Sequence, residues 1–243
     1  MTAGPGGAAG PPPPLDEGAS ESLRIVLELL RSERASVSSV TEPERAWQVH
    51  VADSLSGLSV PQLAKAKAIA DVGSGAGFPG LPLAVALPDA EIDLVESVAR
   101  KCDFIRRAAA AAGIANARVI EDRAETWAEH LAPDGGREAY DAVTARAVGR
   151  LSTLAELASP LLGDGGVLVA WKGRRSPEED GELAAAAERL AMQPEQVIAV
   201  GPYAGSRHRH LHVVRKRGPT PEGLPRRPGL AKKRPFGSRR GAG

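Results

Sequence analysis

The residues that could do chemistry are concentrated in one stretch. Residues 69–80 read IADVGSGAGFPG, with Asp71 two positions before Gly73 and with Gly75, Gly77 and Gly80 spaced through the loop that follows. An apolar strand that breaks into glycines and then a helix exposes backbone N–H groups where a cofactor can approach closely. Gly75, Gly77 and Gly80 alone satisfy the G-x-G-x-x-G spacing of dinucleotide sites. Such sites need donors for a pyrophosphate, and a carboxylate entering the turn does not help there. S-adenosylmethionine carries an ammonium and a sulfonium and no phosphate, so Asp71 suits it, directly or through water. The arrangement therefore favours S-adenosylmethionine over NAD. Phe78 offers an apolar wall, so Gly73→Asp and Phe78→Asp are expected to abolish cofactor binding while leaving the fold intact.

Further candidates follow from the rule that ligands of open α/β sheets sit beyond the C-terminal strand ends. Glu96, beside Ser97, ends a second strand, where a carboxylate can accept from both hydroxyls of an unphosphorylated ribose and would repel the phosphate of NADP. The bland alternative is an acid favoured by a helix dipole. Arg123, Ala124 and Glu125 follow a third strand, where backbone N–H groups and a side-chain acceptor could read an adenine edge, or simply form a first helical turn. Arg146, past a fourth strand, could hold a cofactor carboxylate or an RNA phosphate, or pair with a neighbouring acid. Lys172 ends a fifth strand in a similar place and reads equally as a surface lysine. Cys102, the only cysteine, lies inside a helical pattern and is a poor nucleophile. His208, His210 and His212 alternate without partnering cysteines or acids, which suggests a basic strand edge rather than a metal site. The fourth strand lacks the Asn/Asp-Pro-Pro-aromatic turn used to methylate exocyclic amines. What remains is methyl transfer to an atom that is already nucleophilic.

These residues must be positioned by regular alternation of strands and helices. Strands are expected at 68–72, 91–96, 117–120, 140–145 and 166–171, with a closing pair at 196–200 and 211–215. Helices lie between them, one opened by Ser176, Pro177 and Glu179 in capping register. Two earlier helices, one with Leu23, Val26, Leu27 and Leu30 on a face, the other opening at a Thr41–Glu44 capping box and carrying Trp47, Val51 and Leu55, form an N-terminal cap. The fold class is α/β, a doubly wound, mostly parallel Rossmann-like sheet. The expected organisation is a disordered Gly/Pro-rich tail over 1–19, a helical cap over 20–60, the main domain over 61–217 and a basic tail over 218–243. No apolar run approaches the ~20 residues a membrane helix needs, the N-terminus lacks signal-peptide character, and one cysteine fits a reduced cytoplasmic setting.

Charge is divided along the chain. Residues 201–243 carry twelve Lys/Arg against the single acid Glu222, so a net charge of +1 conceals an acidic body with a basic end. That is the footprint of a polyanion binder, or of a solubilising tail. Arg226, Arg227, Lys232 and Lys233 are interleaved with Pro225, Pro228 and Pro235, so an extended strand tracking phosphates is expected in place of a helix. On that reading, removing the tail would leave cofactor affinity nearly unchanged.

From about Leu23 to Phe236 the chain resembles the bacterial small-subunit ribosomal RNA (guanine-N7) methyltransferases, also called the glucose-inhibited division protein B family. The match rests on DVGSGAGFPGLPL from Asp71, His50 with Asp53-Ser54-Leu55, Leu94–Ser97, Arg123–Glu125, Thr144–Ala147, Pro225–Gly229 and Lys232-Lys233. Glu96 stands where the family often has Asp. The resemblance implies a class I S-adenosylmethionine-dependent methyltransferase in which Gly73 and Phe78 line the cofactor pocket, Ala124 and Glu125 hold the adenine end and Arg146 belongs to the same set. It implies a guanine in the decoding region of 16S rRNA of the small ribosomal subunit as substrate. Guanine N7 carries an in-plane lone pair and no proton, so no general base is needed. The competing readings are an NAD-dependent oxidoreductase, for which no hydride-transfer partner is found, and a non-catalytic RNA-binding protein with a relic pocket.

Overall fold

The computed structural model of the chain describes residues 9–33, 42–146 and 149–237. Helix α1 (Glu17–Ser32) begins where Asp16 caps it, its side chain accepting from Ala19 N at 2.7 Å. Leu23, Val26, Leu27 and Leu30 form its buried face. The helix thus starts inside the expected tail, and Ala9 is hydrogen-bonded to Ala199 O and from Gly201 N. Those contacts order residues that composition alone marks as unstructured. A broken helical run follows: α2 (Pro43–Ala46), a π-helical turn (Trp47–Ala52), α3 (Asp53–Leu55), a 3-10 turn (Ser56–Ser59) and α4 (Pro61–Ala64). Its N-cap is Glu42, without a side-chain cap bond, and Thr41 lies outside the described residues.

The sheet has seven strands in the order β3-β2-β1-β4-β5-β7-β6. Strand β1 (Ala68–Val72) leads through the glycine loop into α5 (Gly80–Ala86), and β2 (Glu91–Glu96) into α6 (Ala99–Ala111). Strand β3 (Ala117–Glu121) precedes the single turn α7 (Ala124–Trp127). Strand β4 (Tyr140–Arg146) precedes α8 (Leu151–Ala158) and β5 (Leu162–Lys172) precedes α9 (Pro177–Ala186). Strands β6 (Met192–Ala199) and β7 (His210–Lys216) close the sheet, and a last turn of helix is α10 (Leu230–Lys233). The first five strands pair in parallel, and β7 pairs antiparallel with both β5 and β6. Two apolar clusters fill the faces, one under α1, α5 and α6, the other under α8 and α9. This is a doubly wound α/β architecture. Its strand order reverses between β1 and β4, the switch point at which diverging loops leave a crevice.

Three expectations are corrected here. Strand β5 starts at Leu162, four residues early, because β4 supplies a partner: Tyr140 pairs with Leu162 before an irregularity in register. Strand β6 likewise starts at Met192, where pairing with Lys216 carries it past Pro194. The histidines of β7 do not mark a strand edge, since β7 is interior; His212 is only 3% exposed.

Candidate active site

The glycine loop is tied down by two carboxylates. Asp71 is fully buried, and its oxygens accept from Gly80 N and Thr144 Oγ1, both at 3.0 Å. Parallel pairing places Asp71 opposite Thr144, so this clamp joins β1, β4 and the start of α5. Asp71 therefore positions the loop instead of facing a ligand cation, a correction to its expected role. Burial pushes its carboxyl up to about 6, against the favourable hydrogen bonds. A Cβ at Gly80 would sit 2.9 Å from Asp71 Oδ2 and 2.7 Å from Leu94, so only glycine permits this approach. Gly73 has φ 70°, the left-handed region, which turns the chain sharply off β1. Glu96 supplies the second carboxylate. Its Oε2 accepts from Gly75 N and its Oε1 from Val98 N, each at 3.0 Å, and Lys101 Nζ lies 3.7 Å away.

A cleft of about 350 Å³ opens at these strand ends. Gly73, Glu96, Ser97, Ala124 and Glu125 all line it, as the sequence suggests, together with Lys101 and Asp122. Ionised carboxylates accept through several lone pairs, so Glu96 retains capacity for hydroxyl donors beyond its two backbone bonds. Carboxylate acceptors beside an open backbone turn form the donor and acceptor set that ribose and adenine require, and the residues present fit S-adenosylmethionine. The cleft also has a wall that sequence reasoning missed. Gly229, Ala231 and Lys232 of the C-terminal segment line it, and Gly229 N donates to Glu125 Oε1 at 2.7 Å.

Arg146, Phe78 and Lys172 are not among the residues lining that cleft. Phe78 is 5% exposed, stacked on His50 at 4.7 Å with the Arg146 guanidinium 5.5 Å from its ring centroid. Arg146 donates to Val49 O at 3.0 Å and to Asp53 Oδ2 at 3.2 Å, pinning the π-helical turn to β4. Burial lowers its pKa against the attraction of Asp53. Lys172 Nζ donates to Gly149 O at 2.9 Å and pairs with Glu179 at 2.7 Å. Arg146 and Lys172 line a second cavity of about 450 Å³, together with His50, Asp53, Arg209 and His210 among others. Asp53 is 4% exposed, and Arg209 Nε lies 3.7 Å from its Oδ1. Burial and the Arg146 charge hold His50 at about 4, neutral near pH 7.

The basic tail is also corrected. Its described part, through Gly237, contains α10 and is docked rather than extended. Arg226 forms a two-pronged pair with Glu156, Nε to Oε1 and Nη2 to Oε2, both at 2.5 Å, and the Glu156 side chain is only 2% exposed. Thr153 Oγ1 donates to Ala231 O at 3.2 Å. Arg226 is thus committed to an internal ion pair, whereas Arg227, Lys232 and Lys233 stay exposed. Sequence pattern alone does not mark Asp53, Arg209 or Glu156 as site or anchoring residues. The available signal was a charge set in otherwise apolar helical sequence, as in LSTLAELA around Glu156. Among the described residues, no group of three or more His, Cys, Asp or Glu could hold a metal, and no helix is long and apolar enough to cross a membrane.

Solved structures share this architecture. A fibrillarin pre-rRNA processing protein from Methanococcus jannaschii superposes with a TM-score of 0.53 at 18% identity, covering 69% of this chain and 74% of that one. The S-adenosylmethionine-dependent methyltransferase SibL gives 0.52 at 16% identity, covering 83% and 70%. At these identities the likeness concerns the fold. Sequence relatives are nearer. A ribosomal RNA small subunit methyltransferase G from Symbiobacterium thermophilum is 36% identical over 228 residues, 91% of this chain and 92% of the relative. One of the same name from Pelotomaculum thermopropionicum is 39% identical over 217 residues, 89% and 88%. The family model for rRNA small subunit methyltransferase G matches residues 21–211, and the chain belongs to that family.

Proposed function

We propose that this chain transfers a methyl group from S-adenosylmethionine to N7 of a guanine in the decoding region of 16S rRNA, on the small ribosomal subunit and in the cytoplasm. The observation that carries the reading is the buried Glu96 carboxylate, bonded to the Gly75 backbone in a cleft shared with Glu125, in a chain of this family. Glu96 holds the ribose hydroxyls, and Ala124 with Glu125 holds the adenine end. Asp71 keeps the loop closed around Gly73. When bound, S-adenosylmethionine supplies the electrophilic methyl carbon.

The chain's own contribution is placement. Guanine N7 needs no proton removed, so no side chain need act as a base, and holding the reactants in line can supply much of the acceleration. The cavity around Arg146, Lys172 and Arg209 lies at the carboxyl ends of β4 and β5 and near the N-terminus of β7, next along the sheet from the cleft. Its cations suit RNA phosphates. N7 lies on the edge that a regular A-form helix hides, so the target guanine must be displaced or lie in distorted RNA.

The test uses the full chain, methyl-labelled cofactor and small subunits prepared without the modification. The expected result is label recovered as 7-methylguanosine in the decoding region of 16S rRNA. Label in another base, or none, overturns the proposal. Calorimetric titration with S-adenosylhomocysteine and with NAD separates it from hydride chemistry.

A further inference from the structure

We infer that the C-terminal segment 226–233 is a structural wall of the cofactor site, clamped in place by the Arg226–Glu156 pair, and that cofactor affinity depends on it. The inference rests on the reading of the cleft as the S-adenosylmethionine site. Three independent contacts support it. The Gly229 N–H is bonded to Glu125, the side chain at the proposed adenine end, at 2.7 Å. Ala231, 2% exposed, accepts from Thr153, and both residues line the cleft. Arg226 grips the Glu156 carboxylate with two bonds, stacks at 3.9 Å on Phe236 and donates to Arg234 O, so both sides of α10 are held to one anchor.

The geometry gives each contact a consequence. A carboxylate in a partly exposed cleft samples several rotamers, and the Gly229 bond restricts Glu125 to one before any ligand arrives, which lowers the ordering cost of binding. Ala231 and the Lys232 stem cover a side of the cleft that is otherwise bounded by α7 and α8. Glu156 is a buried charge whose partner lies seventy residues away. Such a pair fixes one arrangement strongly, because releasing Arg226 leaves the carboxylate uncompensated. The same stretch presents Lys232 and Lys233 to solvent, so charge that looks dedicated to RNA stands on the rim of the cofactor cleft.

Arg226→Ala and Lys232→Asp are compared with the unaltered full chain by calorimetric titration with S-adenosylhomocysteine, after thermal melts in its absence. The expected result is a dissociation constant at least tenfold higher for Arg226→Ala and several-fold higher for Lys232→Asp. The Lys232 side chain is exposed, so that variant reports on the wall even if loss of Arg226 disturbs folding. Unchanged affinity in folded Lys232→Asp, or in folded Arg226→Ala, overturns the wall. Absence of binding to the unaltered chain overturns the cofactor reading itself, and the wall with it.

Discussion

The two cavities at the carboxyl edge of the sheet differ in charge: in the first, Glu96, Asp122 and Glu125 stand with Lys101, Arg123 and Lys232, whereas the second is mainly cationic. The cleft between β1, β2 and β3 is shaped by carboxylates, Glu96 and Glu125, each held by a backbone N–H. The cavity between β4, β5 and β7 is shaped by Arg146, Lys172 and Arg209 around one acid, Asp53. A neutral ribose and adenine suit the first, and a polyanion suits the second. Both cavities are closed by distant partners. The cleft takes most of its lining from strand-end loops within residues 72–125 and is completed by Gly229, Ala231 and Lys232. Asp53 meets its arginines across gaps of ninety-three residues or more. Phe78 belongs to the loop of the first and packs against His50 and Arg146, which line the second.

That shared residue offers the largest way to break the comparison. Phe78→Asp buries a charge in the sandwich between His50 and Arg146, and the earlier expectation of an intact fold is revised. The expected outcome is loss of the cooperative thermal transition, since removing a buried aromatic alone costs about 3–5 kcal/mol. Arg146→Ala comes next. It strands the buried Asp53, at a cost of about 3–5 kcal/mol, and should abolish methyl transfer while folded protein at low temperature still binds S-adenosylhomocysteine. Loss of that binding instead would assign Arg146 to the cofactor, as the family resemblance implies.

Smaller changes separate the cavities one at a time. Gly73→Asp should fold and lose S-adenosylhomocysteine binding by about a hundredfold, since a carboxylate then fills the cleft at a left-handed turn. RNA affinity, measured by filter binding, should stay within a factor of about two, as the altered site makes no phosphate contact. Arg209→Gln should do the reverse. RNA affinity falls, and the slope of log affinity against log salt shrinks by about 1 for one lost phosphate contact. An unchanged slope would remove the polyanion from the second cavity.

The mildest effect is on pH dependence. Burial holds His50 and His212 at about 4, below the ordinary 6.5. Between those pH values the unfolded chain binds more protons, so stability falls as pH drops from 6.5 towards 4. Asp71 acts in the other direction. Its folded pKa of about 6 exceeds 3.8, so acidification through that window favours the folded state. The two histidines should dominate. His212→Leu should flatten the fall in thermal midpoint between pH 6.5 and 4, and an identical slope would exclude His212 as its source.

Much of the cleft was legible before any coordinates. Strands β1 and β2 begin and end at the expected residues, and Gly73, Glu96, Ser97, Ala124 and Glu125 meet as the strand-end rule requires. Ser176 caps α9 by accepting from Glu179 N, in the register read from sequence. These features depend on near neighbours, namely hydrophobic alternation, glycine conformations and caps, and near neighbours are written consecutively. The same periodicities were enough for the fold class.

Tertiary structure alone decided how the charges were used. Asp71 reads as a ligand for a cation because its partners, Gly80 N and Thr144, are invisible until β1 and β4 pair. Arg226 reads as a phosphate contact until α8 brings Glu156 against it. Arg146 reads as a free cation at a strand end until α3 delivers Asp53. A charged side chain carries the same sign in sequence whether it faces solvent or a buried partner. Which of the two it meets depends on contacts between residues far apart in the chain, and folding alone makes those contacts.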